Sequence, residues 1–162
     1  MEGVWRMIVR NENQALCVAV EMERRAIRVY ERALMLADDP RVQQGIREIL
    51  KDENDHLCRF RAMQTGHTVD PQEERMLISS MAAEVLFTGG VMEMHREKAL
   101  TTLLGLYRYA ADSEADAVKI YAEFARKCDD ADVRETFMSI VREESKHLGE
   151  LRAKVAELEK ES

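Results

Sequence analysis

Two short stretches of this chain combine the side chains that can bind a metal ion together. Ile49 to Leu57 reads I-L-K-D-E-N-D-H-L, and Ile140 to Leu148 reads I-V-R-E-E-S-K-H-L. In each stretch a Glu precedes a His by three residues, which puts both side chains on one face of a helix. Both pairs lie in apolar runs, so that face is predicted to point into a core. A buried carboxylate and imidazole need a compensating partner, and a metal ion suits both.

The surroundings of the two stretches repeat at one fixed offset. Glu53 and Glu144 lie 91 residues apart (144 − 53 = 91), and no gap is needed to align the chain with itself from Ala19 to Leu57. The same offset pairs Glu23 with Glu114, Ala26 with Ala117, Tyr30 with Tyr121, Asp38-Asp39 with Asp129-Asp130, Val42 with Val133 and Ile49 with Ile140. We interpret the chain as a duplicated helix pair, about residues 11–65 and 97–158, within one domain spanning 1–162.

Composition indicates a folded helical protein. Hydrophobic residues make up 46% of the 162 positions and charged residues 34%, with only 7 Gly and 2 Pro. Helix formers dominate. The net charge is −7, and the basic residues are mixed with acids, so no basic surface for nucleic acid is expected. No apolar run has the length of a membrane span and no signal peptide is recognised, so a cytoplasmic location is expected. The isolated Cys17, Cys58 and Cys128 are interpreted as buried or half-buried thiols.

Apolar periodicity predicts an all-α fold, an antiparallel four-helix bundle. An extra helix, from about Pro71 to Phe87, lies in the long crossover between the second and third long helices. The Met-rich crossover 71–94 is interpreted as packing against the bundle, with a soft substrate-facing surface as the alternative. Asp39 with Pro40, and the turn at Asp129 to Asp132, are predicted to start helices. The long helices are expected at about Asn11–Ala37, Pro40–Thr65, His95–Lys127 and Ala131–Leu158.

Each long helix is predicted to contribute one acid to the bundle interior, and two of them also contribute a His. Such a set suffices for two metal ions bridged by carboxylates. Carboxylates with imidazole and without thiolate favour iron, or manganese or a mixed pair, over zinc. The alternative is surface glutamates and ordinary histidines, which the repeat disfavours. Glu21 is predicted to lie on a solvated face. The proposed ligands are Glu23, Glu53 and His56 in one half and Glu114, Glu144 and His147 in the other, with Glu53 and Glu144 as bridges.

Two further pairs match at the same offset and are predicted to support the ligands. Asp52 and Glu143 precede the motif glutamates and are interpreted as acceptors for the second ring N–H of the histidines. Surface acids are the alternative. Tyr30 and Tyr121 lie two turns after Glu23 and Glu114, where a buried phenol could donate to a ligating carboxylate. Filling of an aromatic core is the alternative.

From about Asn11 to Leu158 these motifs resemble the ferritin-like superfamily, and most closely its rubrerythrin branch. The resemblance implies a four-helix bundle holding two iron ions that react with peroxide or dioxygen and are re-reduced by an external donor. Two departures matter. The additional four-Cys iron site of full-length rubrerythrins is absent, so the electron donor is expected to be another protein. Rubrerythrins also have an extra Glu three residues after the third-helix ligand, where this chain has Ala117. This departure weakens a peroxidase assignment in particular.

Four functions are compatible with this pattern. The first is a non-haem di-iron oxidoreductase that reduces peroxide or dioxygen or oxidises Fe(II). The others are bacterioferritin-like iron storage or handling, hydroxylation of a quinone-like organic substrate, and a metal-free binding bundle. The intact set of six ligands disfavours the last. A homodimer or higher homo-oligomer is expected.

The ligand assignment predicts that Glu53→Ala or Glu144→Ala abolishes binding of the metal pair, because each removes a bridging carboxylate. Metal analysis of the purified variants measures this. Glu21→Ala is the matched control from the predicted solvated face. Retention of two metals per chain in either bridging variant would refute the assignment, and metal loss in the control would mean that the first helix is wrongly phased.

Overall fold

The computed structural model describes residues 9–81 and 100–161, and all regular structure in these two ranges is helical. The expected all-α class is therefore confirmed for the described residues. The part of the predicted crossover after residue 81 lies outside them. The helices are α1 (Glu12–Leu36), α2 (Pro40–Gln64), α3 (71–81, to the end of that described range), α4 (Leu103–Arg126) and α5 (Ala131–Lys160).

Side-chain caps set the starts of the long helices. The Asp39 carboxylate accepts from the Arg41 backbone N–H at 2.8 Å, with Pro40 opening α2 as predicted. Asp130 Oδ1 accepts from the N–H groups of Asp132 and Val133 at the start of α5. These bonds satisfy backbone donors that have no partner within the helix.

One helix start was predicted too early. Thr102 Oγ1 accepts from the Gly105 N–H at 3.0 Å, so α4 begins at Leu103 and residues 100–102 are not helical. Residues 95–99 of the predicted helix lie outside the described residues. The cap, rather than the onset of apolar periodicity, determines where the helix begins.

The helices pack in a bundle-like arrangement. The pairs α1 with α2 and α4 with α5 share the largest contacts, α2 also touches α4 and α5, and α1 touches α4. Gly45 permits a close approach between α2 and α4. A Cβ atom there would lie 3.1 Å from Leu106 Cδ2 and 3.3 Å from the Tyr107 hydroxyl.

Buried apolar side chains form two clusters along the bundle. The first contains four aromatic rings in edge-on or tilted contact, with centroids 5.1 Å apart for Phe60 and Tyr121 and for Phe60 and Phe137, and 5.8 Å apart for Phe124 and Phe137. The second is mainly aliphatic and contains Tyr30, Ile46, Leu106 and Leu151. Every long helix contributes to both clusters.

Glu21 does not lie on a solvated face, as the sequence had indicated. The residue is only 8% exposed, and its Oε1 accepts from Arg25 Nε at 3.1 Å and from Arg28 at 3.3 Å. Its face of α1 shares a small cavity with residues 64–78, which run from the end of α2 into α3 and cover that face. The prediction treated α1 as having one buried stripe, whereas this added segment buries a second. Exposed Glu31 is therefore a cleaner control for metal binding.

The thiols also differ partly from expectation. Cys17 and Cys128 are buried, but Cys58 is exposed. No described helix combines the length and apolar character that crossing a membrane would need.

We expect Phe60→Ala to lower the free energy of unfolding by about 3 to 5 kcal/mol, because truncating a fully buried aromatic side chain leaves a cavity. Phe60 is 0% exposed and touches two other rings of the first cluster. Chemical denaturation measures the change. Met35→Ala is the control, since Met35 is 86% exposed. Equal effects of the two substitutions would contradict the packing described.

Candidate metal centre

The four predicted glutamates lie where the two apolar clusters meet. On α1, Glu23 separates Leu16 of the first cluster from Tyr30 of the second. On α5, Glu144 separates Phe137 from Leu151 in the same order. Glu53 on α2 and Glu114 on α4 also lie between the two clusters. On these two helices, the residues of the second cluster come first along the chain. The helices therefore bring four acids to one level of the bundle.

These acids are buried in the protein. The exposed fractions are 3% for Glu23, 9% for Glu53, 7% for Glu114 and 2% for Glu144. Among the described residues, no Lys or Arg forms an ion pair with any of the four. Four carboxyl groups thus share an interior without an amino or guanidinium counter-charge, which is a costly arrangement.

His56 completes the first predicted half of the centre. Its Nδ1 lies 2.9 Å from Glu144 Oε1 and 3.8 Å from Glu23 Oε1, and its side chain is 1% exposed. Nδ1 nevertheless forms no hydrogen bond among the described residues. Candidate ligand atoms of Glu23, Glu53 and His56 all lie within 4.8 Å of one another.

His147 completes the second predicted half and is more open. Candidate ligand atoms of Glu114, Glu144 and His147 also lie within 4.8 Å of one another. The His147 side chain is 27% exposed, and its Nδ1 lies 3.7 Å from Asp52 Oδ2. The second half therefore has the same donor set as the first but more access to solvent.

Buried polar atoms without partners provide a test of whether the residues fit a metal. Glu23 Oε2, Glu114 Oε2, His56 Nδ1 and His147 Nδ1 are all buried and lack a hydrogen-bond partner among the described residues. Buried polar atoms are normally hydrogen-bonded. Two carboxylate oxygens and two imidazole nitrogens are also typical donors to iron or manganese. The carboxylate and histidine groups of this centre could therefore bind metal ions.

Burial and mutual repulsion shift the acid equilibria of the centre. Burial, together with the neighbouring Glu53, raises the pKa of Glu23 well above its ordinary range. Burial also raises the pKa of Glu53, and it raises the pKa of Glu114 to about 9, with Glu144 and Glu53 adding to the effect. Without a bound cation, these carboxyl groups tend to keep their protons.

The pKa of His56 reflects opposing influences. Burial lowers it, but Glu144, Glu53 and Glu143 together outweigh burial and raise the pKa above its ordinary value. The acids around the ring therefore stabilise the imidazolium when no cation is present.

The predicted supporting residues lie near the histidines of the opposite half. Glu143 Oε2 is 3.4 Å from His56 Nε2, and Asp52 is the nearest acid to His147 Nδ1. Tyr121 donates from its hydroxyl to Glu23 Oε1 at 2.7 Å. Tyr30 is buried with its ring edge-on to Tyr109, at a centroid distance of 5.9 Å.

Sequence reasoning missed a network around Glu143. Arg59 donates to Glu143 Oε2 at 2.7 Å, to Asp55 Oδ2 at 3.3 Å and to Ser139 Oγ at 2.9 Å. Asp55, His56 and Glu143 also have candidate ligand atoms close together, but Arg59 already forms ion pairs with both acids there. The available signal was the spacing, because Arg59 follows His56 by three residues on α2 and shares its face.

A cavity of about 380 Å³ reaches the centre from one side. All four glutamates line it, together with Tyr30, Tyr121 and the apolar side chains Met22, Val29, Met81 and Ile120. Ala26 and Ala117 also line it, so the position where rubrerythrins have an extra Glu faces this cavity with a methyl group. The cavity is large enough for a small oxidant or part of an organic molecule.

Comparison with known proteins gives one relevant similarity. No family model matches this chain, and no solved structure matches it significantly. A ferritin-like-encapsulin shell fusion protein of Pyrococcus furiosus is 34% identical over 70 residues. The matched segment covers 42% of this chain and 20% of that protein, so the chain spans about a fifth of the relative's length. This similarity supports the ferritin-like resemblance at the level of the superfamily.

The raised pKa of Glu114 predicts a pH dependence for the metal-free protein. Between the ordinary value of 4.5 and about 9, the folded protein holds a proton on Glu114 that the unfolded chain releases. The free energy of unfolding should therefore fall as pH rises through this window, and the raised pKa of His56 acts in the same direction. Glu114→Gln should flatten the profile.

Chemical denaturation of chelator-treated protein at several pH values measures this effect. Exposed Glu31→Gln is the control and should keep the wild-type slope. A Glu114→Gln profile that superimposes on the wild-type profile would show that Glu114 ionises normally in the folded state.

Proposed function

We propose that this chain is a ferritin-like protein that binds two iron ions in an antiparallel four-helix bundle and catalyses oxidation of Fe(II) by peroxide or dioxygen. The order of the two apolar clusters supports the bundle. Along α1 and α5 the chain passes from the first cluster to the second, and along α2 and α4 it passes from the second to the first. This order is the one expected if a long crossover joins α2 to α4.

The observation that carries the proposal is a group of buried acids without a positive counter-charge from Lys or Arg among the described residues. Four buried glutamates converge with two histidines, and four of their polar atoms have no hydrogen-bond partner. A structural role alone does not account for this arrangement, because apolar side chains would be more stable there. Two divalent cations would neutralise four carboxylates.

The two halves are proposed to hold one ion each. Glu23, Glu53 and His56 would serve the first, and Glu114, Glu144 and His147 the second, with Glu53 and Glu144 bridging. Bound there, two iron ions supply a centre able to pass two electrons to an oxidant. Hydrogen peroxide needs two electrons, one from each of two Fe(II), and two protons to become two water molecules.

Other residues of the chain are proposed to orient the ligands. Glu143 Oε2 lies 3.4 Å from His56 Nε2, so it would accept the Nε2 proton when metal is bound and leave the Nδ1 lone pair for the ion. Arg59 fixes Glu143 in this position. Tyr121 holds one oxygen of Glu23 by its hydrogen bond and leaves the other for coordination.

The cavity is proposed as the path for the oxidant. The four acids that line it are at most 9% exposed, and its volume of about 380 Å³ accommodates dioxygen or peroxide. The methyl groups of Ala26 and Ala117 supply no further carboxylate there. This difference from rubrerythrins favours Fe(II) oxidation over a dedicated peroxidase, and the related shell fusion protein is named as ferritin-like.

Iron handling in an assembly is therefore part of the proposal. A homodimer or higher homo-oligomer would suit it, and an external protein would supply electrons if the centre is re-reduced. The same cavity also favours a second candidate, hydroxylation of a quinone-like compound. Met22, Val29 and Met81 line it beside the glutamates and could contact an apolar ring.

Anaerobic loading with Fe(II) tests the proposal. We expect two Fe(II) bound per chain and a rise in near-ultraviolet absorbance when peroxide or dioxygen is added, since ferric carboxylate centres absorb there. Glu144→Ala should lose both effects, whereas Glu31→Ala should keep them. Equal iron oxidation by the two variants would contradict the proposed centre.

The same loaded protein separates the two candidate functions. Turnover of added Fe(II) with oxidant, without any organic product, supports iron oxidation. Conversion of a soluble quinone analogue to a hydroxylated product, dependent on Glu144, would favour the second candidate instead.

A further inference from the structure

The centre has a second opening, separate from the main cavity. A crevice of about 120 Å³ between α2, α4 and α5 reaches Glu114 and His147. Glu48, Asp52 and Glu150 line it, together with Lys154. Glu114 also lines the main cavity, so both openings reach this one carboxylate.

The duplicated halves differ at the residues around their histidines. Adding 91 to Glu48, Asp52 and Arg59 gives Ser139, Glu143 and Glu150. Near His56, the Arg59 guanidinium donates to Glu143 and to Ser139, so a positive charge lies beside the carboxylate that faces the imidazole. Around His147, the position equivalent to Arg59 is Glu150 and the position equivalent to Ser139 is Glu48. The residue at the first of these positions is therefore a cation near His56 and an acid near His147.

The burial of the histidines agrees with this difference. The His56 side chain is 1% exposed, whereas that of His147 is 27% exposed. The one basic side chain of the acidic crevice, Lys154, has its Nζ 5.0 Å from the centre of the Tyr107 ring. The three acids of the rim therefore outnumber its one positive charge, and that charge lies over an aromatic face.

An independent observation indicates a ligand at the inner end of the crevice. Glu114 is only 7% exposed, and its Oε2 is buried without a hydrogen-bond partner. His147 Nδ1 is also buried and without a hydrogen-bond partner among the described residues. Both residues line the crevice, so a cation that moves inward past the rim acids would reach them.

We propose that divalent metal ions reach the centre through this crevice, with Glu48 and Glu150 attracting them and Glu114 and His147 receiving them. This inference rests on the proposed metal centre. Clefts lined by charges of one sign raise the local concentration of the opposite ion and its association rate. On the other side, Arg59 offsets part of the negative charge of Asp55 and Glu143, and the His56 side chain is only 1% exposed, so that side attracts cations less and gives them less access. The larger cavity, with its apolar wall, remains free for the oxidant.

The test replaces two acids of the crevice with the residues found at the equivalent positions near His56. The double variant Glu48→Ser with Glu150→Arg places the side chains of Ser139 and Arg59 at the equivalent positions. The control, Glu31→Ser with Glu157→Arg, makes the same charge change at two exposed positions away from the crevice. Circular dichroism verifies that both variants keep their helices. Stopped-flow absorbance then follows the binding of Co²⁺ to each protein without oxygen.

We expect the crevice variant to bind Co²⁺ about tenfold more slowly than the control at low ionic strength, because local charge attraction is lost. The difference should shrink as salt is added. Both proteins should still bind two Co²⁺ per chain at equilibrium, because no proposed ligand has been changed.

Three other outcomes are informative. Equal association rates in the two variants, with two Co²⁺ bound, would overturn the route and leave the metal centre intact. A lower Co²⁺ stoichiometry in the crevice variant alone would also overturn it, because Glu48 or Glu150 would then be a ligand. Failure of the wild-type protein to bind two Co²⁺ would refute the metal centre and the route together.

Discussion

The structure depends on holding four carboxyl groups together in an apolar interior. Removing a charge from water costs several kcal/mol even after local relaxation, and like charges at close range add to that cost. The chain meets it in part by raising the pKa values of Glu23, Glu53 and Glu114, so that protons remain bound. Apolar clusters lie on both sides of these carboxyl groups, so the buried acids are confined to one level of the bundle. Metal binding would replace those protons, so binding and folding would be coupled.

Two different openings reach this level of the bundle, and separate residues hold its side chains in place. An apolar cavity meets the carboxylates on one face, and an acid-edged crevice meets Glu114 and His147 on another. Tyr121, Glu143 and Arg59 restrict the orientations of Glu23 and His56. Such preorganisation matters because small displacements of ligands change affinity and reactivity strongly. The fold thus supplies access and rigidity by separate means.

Sequence reasoning reached much of this arrangement. Apolar periodicity with caps such as Asp39 located the helices, and the repeat directed attention to Glu23, Glu53, Glu114 and Glu144, all of which the structure buries. Periodicity reports one face of one helix, so it did not foresee that residues 64–78 would cover Glu21. It also placed the start of α4 too early, since a single Thr102 hydrogen bond decides that boundary. Contacts between helices, such as Arg59 with Ser139 and Glu143, depend on relative rotation, which the pattern of a single helix does not encode.

The internal repeat places both halves of the bundle on one polypeptide. In an assembly of two identical helix hairpins, every substitution would appear twice, and the symmetry axis would make both faces alike. Here Arg59 and Glu150 occupy equivalent positions with opposite charges, which identical subunits could not achieve. A duplication within one chain would therefore allow the two copies to diverge, as the difference between Arg59 and Glu150 illustrates.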